Sequence, residues 1–67
     1  MDLNPKRLIK ILEQNGFKYK RAKGSHKVYY NSISNKTVVV PYHKGRDLKK
    51  GTFITILKQA DIKSSNI

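Results

Sequence analysis

Apolar residues near the start of the chain recur with the spacing of one helical face. They stand at i, i+3 and i+4 and are Leu8, Ile11 and Leu12. Asn4 and Pro5 precede them, and an asparagine caps free amides while proline at the first helical position loses no hydrogen bond. Gly16 follows them as a typical helix stop. The pattern predicts a helix from about Pro5 to Asn15.

The apolar period then changes to two, which is typical of strands. A half-exposed strand is predicted from Phe17 until Gly24-Ser25 interrupts the alternation. The polar stretch Ser32 to Lys36 is predicted to be a hairpin turn between two further strands. Those strands run from Lys27 to Asn31 and from Thr37 to Val40.

Pro41 lacks a backbone donor and is therefore predicted to end the third strand. A loop from Tyr42 to Asp47 follows, and after Gly51-Thr52 the apolar spacing is helical again up to about Ala60. The last residues, Lys63 to Ile67, have little to bury, so we expect them to be frayed.

The predicted order is helix, strand, strand, strand, helix, without repeats or linkers. Short connections favour an antiparallel meander, and two amphipathic helices are available to cover one face of it. At 67 residues the chain has room for one domain, residues 1–67. We therefore expect an α+β domain with a three-stranded antiparallel sheet, both helices on one face and the other face in contact with water.

Charge dominates the composition. Fifteen lysines and arginines against four acids give a formal net charge of +11, which points to a polyanionic partner such as RNA. Four scattered acids make a carboxylate metal site improbable, and no cysteine is present to form disulfides or ligate zinc. The chain shows no membrane segment or signal peptide, so we expect a cytoplasmic protein. We also expect no metal and no small-molecule cofactor.

The two histidines, His26 and His43, are the candidates for proton transfer. His26 follows Gly24-Ser25, where a turn presents a side chain to a ligand, although the same residues also suit an ordinary hairpin with a surface histidine. Cleavage of RNA by its own 2′-hydroxyl needs a base, an acid and cations, but no metal. Lys23 and Lys27 flank His26 in sequence and are candidate cations for this chemistry.

His43 lies in the predicted loop, next to Lys44 and close to Arg46. We interpret His43 as a hydrogen-bond donor to phosphate or as an anchor of the loop, and we prefer these roles to that of a general acid. The four tyrosines interleave with lysines and either stack on bases or pack within the sheet. Glycine-rich nucleotide-binding patterns and a Ser/His/Asp arrangement are not found.

The order of four short motifs resembles the HicA (YcfA-like) toxins over essentially the whole chain. The motifs are Gly24-Ser25-His26, Val28-Tyr29-Tyr30, Val38-Val39-Val40-Pro41-Tyr42-His43, and Gly51-Thr52-Phe53 with Ile56-Leu57-Lys58-Gln59-Ala60. The resemblance implies a fold like that of double-stranded-RNA-binding domains, an mRNA-cleaving ribonuclease activity and a HicB antitoxin as partner. It further implies that His26 is catalytic and that His43 lies in a supporting loop.

One residue departs from the family pattern. Asp61 stands where the family usually has glycine after Gln-Ala, and aspartate tolerates a left-handed helix cap less well. Two alternatives to the ribonuclease remain open. They are a non-catalytic RNA-binding module of the same fold and a small ribosome-associated structural protein.

Overall fold

A computed structural model describes residues 2–63 of the chain. The elements follow one another as helix, three strands and helix. They are α1 (Pro5–Gln14), β1 (Lys18–Lys23), β2 (His26–Asn31), β3 (Lys36–Pro41) and α2 (Lys50–Gln59). Of the predicted frayed segment Lys63 to Ile67, only exposed Lys63 belongs to the described residues, and the rest lies outside them.

The three strands form one antiparallel sheet with the order β1-β2-β3. Partners in an antiparallel register place their side chains on the same face, so the register assigns the two faces of the sheet. Tyr29 pairs with Val38, and these side chains belong to what we call the inner face. His26 pairs with Pro41, and Val28 pairs with Val39, on what we call the outer face.

Both helices cover the inner face. Leu8 and Leu12 of α1 and Phe53 and Leu57 of α2 are buried in one cluster with inner-face residues of β2 and β3. The members from the sheet are Tyr29, Val38 and Val40. The α+β fold with the order α-β-β-β-α is therefore confirmed.

Local capping chemistry sets both ends of α1. The Asn4 side chain accepts a hydrogen bond from the Lys6 amide at 2.9 Å, and Pro5 occupies the first turn. At the other end, Gly16 has φ +90°, and the Phe17 amide donates to the Leu12 carbonyl at 3.0 Å. These are the marks of a glycine-terminated Schellman cap, so the predicted stop at Gly16 is confirmed.

The end of α2 repeats this cap without glycine. The Asp61 amide donates to the Lys58 carbonyl at 3.0 Å, and the Ile62 amide donates to the Leu57 carbonyl at 2.9 Å. Asp61 itself has φ +61°, the left-handed conformation that favours glycine. The helix therefore ends where the family pattern places glycine, with aspartate in the strained position.

The prediction that β1 is half-exposed is wrong, because all six of its residues are exposed. β1 is an edge strand, and the helices pack over β2 and β3 and leave it uncovered. A register shift between Tyr19 and Arg21 also breaks the predicted alternation. Phe17 is the buried apolar residue of the predicted segment, and it lies just before β1.

Asn31 connects the far end of the sheet to α1. Its side-chain nitrogen donates to the Asn15 carbonyl at 3.0 Å, while its side-chain oxygen accepts from the amides of Ile33 and Ser34. A Cβ on Gly16 would approach the same side-chain nitrogen to 3.1 Å. Asn31 thus holds the second hairpin against the helix end, and Gly16 leaves the space for it.

Candidate functional site

His26 is the first residue of β2 and follows a two-residue hairpin turn. Lys23 and His26 pair across Gly24 and Ser25, and Gly24 has φ +59°, as the first position of a type II′ turn requires. The Ser25 carbonyl accepts a hydrogen bond from the Tyr42 amide at 2.6 Å, which extends the pairing with the chain beyond β3. The turn therefore holds the exposed His26 side chain on the outer face of the sheet.

A row of cations lies beside His26 on the outer face. The register places Lys23 opposite His26, Arg21 opposite Val28 and Lys18 opposite Tyr30. All three basic residues are exposed. Because cations attract phosphate groups, this row is suited to bind a nucleic-acid backbone along β1.

Lys27 does not lie with His26, although the two residues are neighbours in sequence. It pairs with Val40 on the inner face, and its ammonium nitrogen lies 4.1 Å from the ring centroid of Tyr42. β2 begins at His26, whereas the predicted strand begins at Lys27. Because successive side chains of a strand point to opposite faces, His26 and Lys27 lie on different faces. The structure therefore places Lys23 on the same face as His26 and Lys27 on the opposite face.

An open groove borders His26 on the side away from β1. His26, Thr37, Val39 and Pro41 line it from the sheet, and one side of α2 lines it opposite them. The residues that α2 contributes include Thr52, Thr55 and Gln59. These three residues cannot be identified as site residues from the sequence, because nothing local in it indicates that α2 lies beside His26.

His43 and Lys44 lie in the loop between β3 and α2, and both are exposed. His43 lines a depression together with Pro41 and Thr52, and these two residues also border the groove at His26. The His43 carbonyl accepts a hydrogen bond from the Arg46 amide at 3.0 Å. His26 and His43 thus line neighbouring depressions that meet at Pro41 and Thr52.

The tyrosines divide between the core and the surface. Tyr29 is buried, and its burial raises the pKa of the phenol above its ordinary value of 10.0, with the Glu13 carboxylate adding to the rise. Tyr19 lies edge-on to Tyr29, with 5.9 Å between the ring centroids. The Lys20 ammonium lies 5.3 Å from the ring centroid of Tyr30. Packing and cation–π contacts within the sheet therefore engage these three rings.

Within residues 2–63, no three His, Asp or Glu side chains come together in the way that a metal site needs. No helix of this part of the chain has the length and apolar character to cross a membrane. The arrangement that is present consists of an exposed imidazole, a row of cations on one side of it and an uncharged groove on the other.

Comparison with known proteins gives one clear relationship. A search of curated proteins finds no match to this chain. The model of a protein family described as the HicA toxin of bacterial toxin–antitoxin systems matches residues 5–62. This match begins with α1 and ends just beyond α2, so that it includes every element of the fold. The chain therefore belongs to the HicA toxin family.

Proposed function

We propose that this protein is a metal-independent endoribonuclease that cleaves messenger RNA in the cytoplasm, with His26 as its catalytic residue. Membership of a toxin family whose members generally act on mRNA supports the substrate. The observation that carries the proposal is the position of His26, exposed on the outer face with Lys23 as its register partner.

The proposed reaction uses the nucleophile that RNA itself contains. The 2′-hydroxyl oxygen attacks the adjacent phosphorus, and the bond from phosphorus to the 5′-oxygen of the next nucleotide breaks. The products are a 2′,3′-cyclic phosphate and a 5′-hydroxyl. A base removes the proton from the 2′-hydroxyl, and an acid protonates the leaving oxygen.

In this scheme His26 is the general base or the general acid. Lys23 and Arg21 stabilise the negative charge that develops on the phosphorane, and the turn at Gly24 and Ser25 holds His26 in place. His43 and Lys44 contact the RNA backbone from the neighbouring loop. Because Lys27 lies on the opposite face and contacts the ring of Tyr42, we assign it a supporting role in the hairpin and not in the proton transfer.

The nature of the products tests this reaction. Purified protein is incubated with a long RNA in EDTA, and the ends of the fragments are analysed. We expect fragments with 2′,3′-cyclic phosphate and 5′-hydroxyl ends. Fragments that form only after magnesium is added, or that carry 5′-phosphates, would contradict the proposal, and intact RNA would favour a non-catalytic RNA-binding module.

We further propose that a HicB-like antitoxin silences the enzyme. An acidic protein is attracted to a chain of net charge +11, and it blocks the reaction if it covers His26 and the cations of β1. A stable complex without nuclease activity is expected. Full activity in the complex would show that the site stays open.

A further inference from the structure

The groove between β3 and α2 has the size of a small-ligand site and lies directly beside His26. Its volume is about 700 Å³, within the range of about 300–1,000 Å³ that such sites occupy. Val39 and Pro41 give it an apolar floor, and Val39 remains 44% exposed there. The groove is open to solvent and is accessible to a ligand.

Its chemistry differs from that of the adjacent surface. Apart from His26, none of the residues that line the groove is ionisable, although the chain has fifteen lysines and arginines. Phosphate groups are attracted to the cations of β1, on the other side of His26. Hydroxyl and amide groups above an apolar floor are instead suited to a planar group with polar edges, such as a nucleobase.

We propose that this groove binds one unpaired nucleobase of the RNA, next to the phosphate on which His26 acts. The proposal rests on the proposed function and adds to it a subsite for the base. The backbone follows the cations of β1 up to His26, and the base enters the groove beyond it. Thr55 and Gln59 form hydrogen bonds with the edge of the base, and Val39 contacts its face.

This placement determines which RNA can be cleaved. The edge of a base in a duplex is already paired, and moving the base into a pocket requires breaking its pairing and stacking. The groove therefore favours cleavage at unpaired positions. Because Thr55 and Gln59 contact the edge of the base, they also influence which base is preferred there.

Two substitutions with a matched control test this proposal. Thr55→Ala combined with Gln59→Ala removes the polar groups of α2 from the groove. Gln14→Ala is the control, because Gln14 is also an exposed last residue of a helix but lies outside the groove. Cleavage positions are mapped on a long RNA, and kcat/KM is measured for oligonucleotides that differ only in the base beside the cleaved bond.

We expect wild-type protein to cleave a single-stranded oligonucleotide and to spare the same sequence in a duplex. The double variant should change the ratio of kcat/KM between bases by about 2- to 10-fold for each hydrogen bond lost. Gln14→Ala should leave both the ratio and the cleavage positions unchanged. Unfolding curves confirm that the variants are folded.

Equal cleavage of single strands and duplexes would overturn the proposal of a base-binding groove. Unchanged cleavage positions and base preference in the double variant would overturn it too. Neither result would contradict the proposed nuclease activity. A double variant that loses only antitoxin binding would overturn the proposal of a base-binding groove as well, since the groove would then bind protein. If the wild type cleaves no RNA, photo-crosslinking with thiouridine-containing RNA tests base binding in the groove independently of cleavage. Crosslinks to residues 51–59 support the groove, and crosslinks confined to other segments overturn it.

Discussion

Lys23 and His26 pair across the first hairpin, and their side chains project from the same face of the sheet. Two turn residues separate them in sequence, and the positive φ of Gly24 makes the tight reversal possible. A cation and an imidazole are therefore held together by the backbone of β1 and β2.

Lys23 and Lys27 form a matched pair on opposite faces of one hairpin. We predict that Lys23→Gln lowers kcat/KM for RNA cleavage by about 10-fold and reduces the salt dependence of RNA binding by about one phosphate contact. Lys27→Gln should leave both nearly unchanged. It should instead destabilise the fold by about 0.5–1 kcal/mol through loss of the contact with Tyr42.

Cleavage rates and RNA affinities over a series of salt concentrations check this pair. The logarithm of affinity should fall with the logarithm of salt by about 0.7 for each phosphate contacted on single strands. A slope near zero for the wild type would contradict the phosphate-binding role of the β1 cations. Equal effects of the two substitutions would contradict their assignment to separate faces.

Asp61 gives a prediction about stability. Its left-handed backbone disfavours any residue with a Cβ, so Asp61→Gly should be more stable than Asp61→Ala by about 1 kcal/mol. Both variants lose the ion pair with Lys36, whose 3.7 Å contact is exposed and contributes little. Urea unfolding measures the difference. An alanine variant as stable as the glycine variant would show that the position is not strained.

Because the phenol of Tyr29 is buried, we predict that the free energy of unfolding decreases at alkaline pH. Because its pKa is raised in the fold, the stability that Tyr29 contributes is complete below about pH 10 and is lost as the pH rises through the folded-state value. Tyr29→Phe cannot ionise. Its free energy of unfolding should therefore fall less steeply than that of the wild type above about pH 10. Parallel curves would contradict the role of this phenol.

Helix ends and turns could be predicted from the sequence because their causes are local. The side chain of Asn4 and the φ of Gly16 act within a few residues of their helix. The full exposure of β1 could not be predicted in this way, since it depends on which strands the helices cover. An edge strand left uncovered has the same sequence pattern as a half-buried one.

The candidate site divides in the same way between local and long-range causes. The turn before His26 is visible in the sequence, and a two-residue turn is a local feature that pairs Lys23 with His26. The predicted start of β2 is one residue late, and this error hides the fact that Lys27 belongs to the opposite face. Thr55 and Gln59 come to the groove through the packing of α2 beside β3, and no short-range pattern indicates that contact.

The cleavage rate of His26→Ala tests the proposed role of His26 most directly. Loss of a general acid or base should lower the rate by about 10²- to 10⁴-fold. RNA affinity should be nearly unchanged, because fifteen cationic side chains remain, and stability should change by no more than about 0.5 kcal/mol at this exposed position.

His43→Ala is the matched control, since it removes the other exposed histidine. The decisive measurement is the rate of RNA cleavage in EDTA by the wild type and by the two variants, with contaminating nucleases excluded. A large loss for His26→Ala and a smaller one for His43→Ala are predicted. Cleavage by His26→Ala at the wild-type rate would contradict the catalytic role of His26.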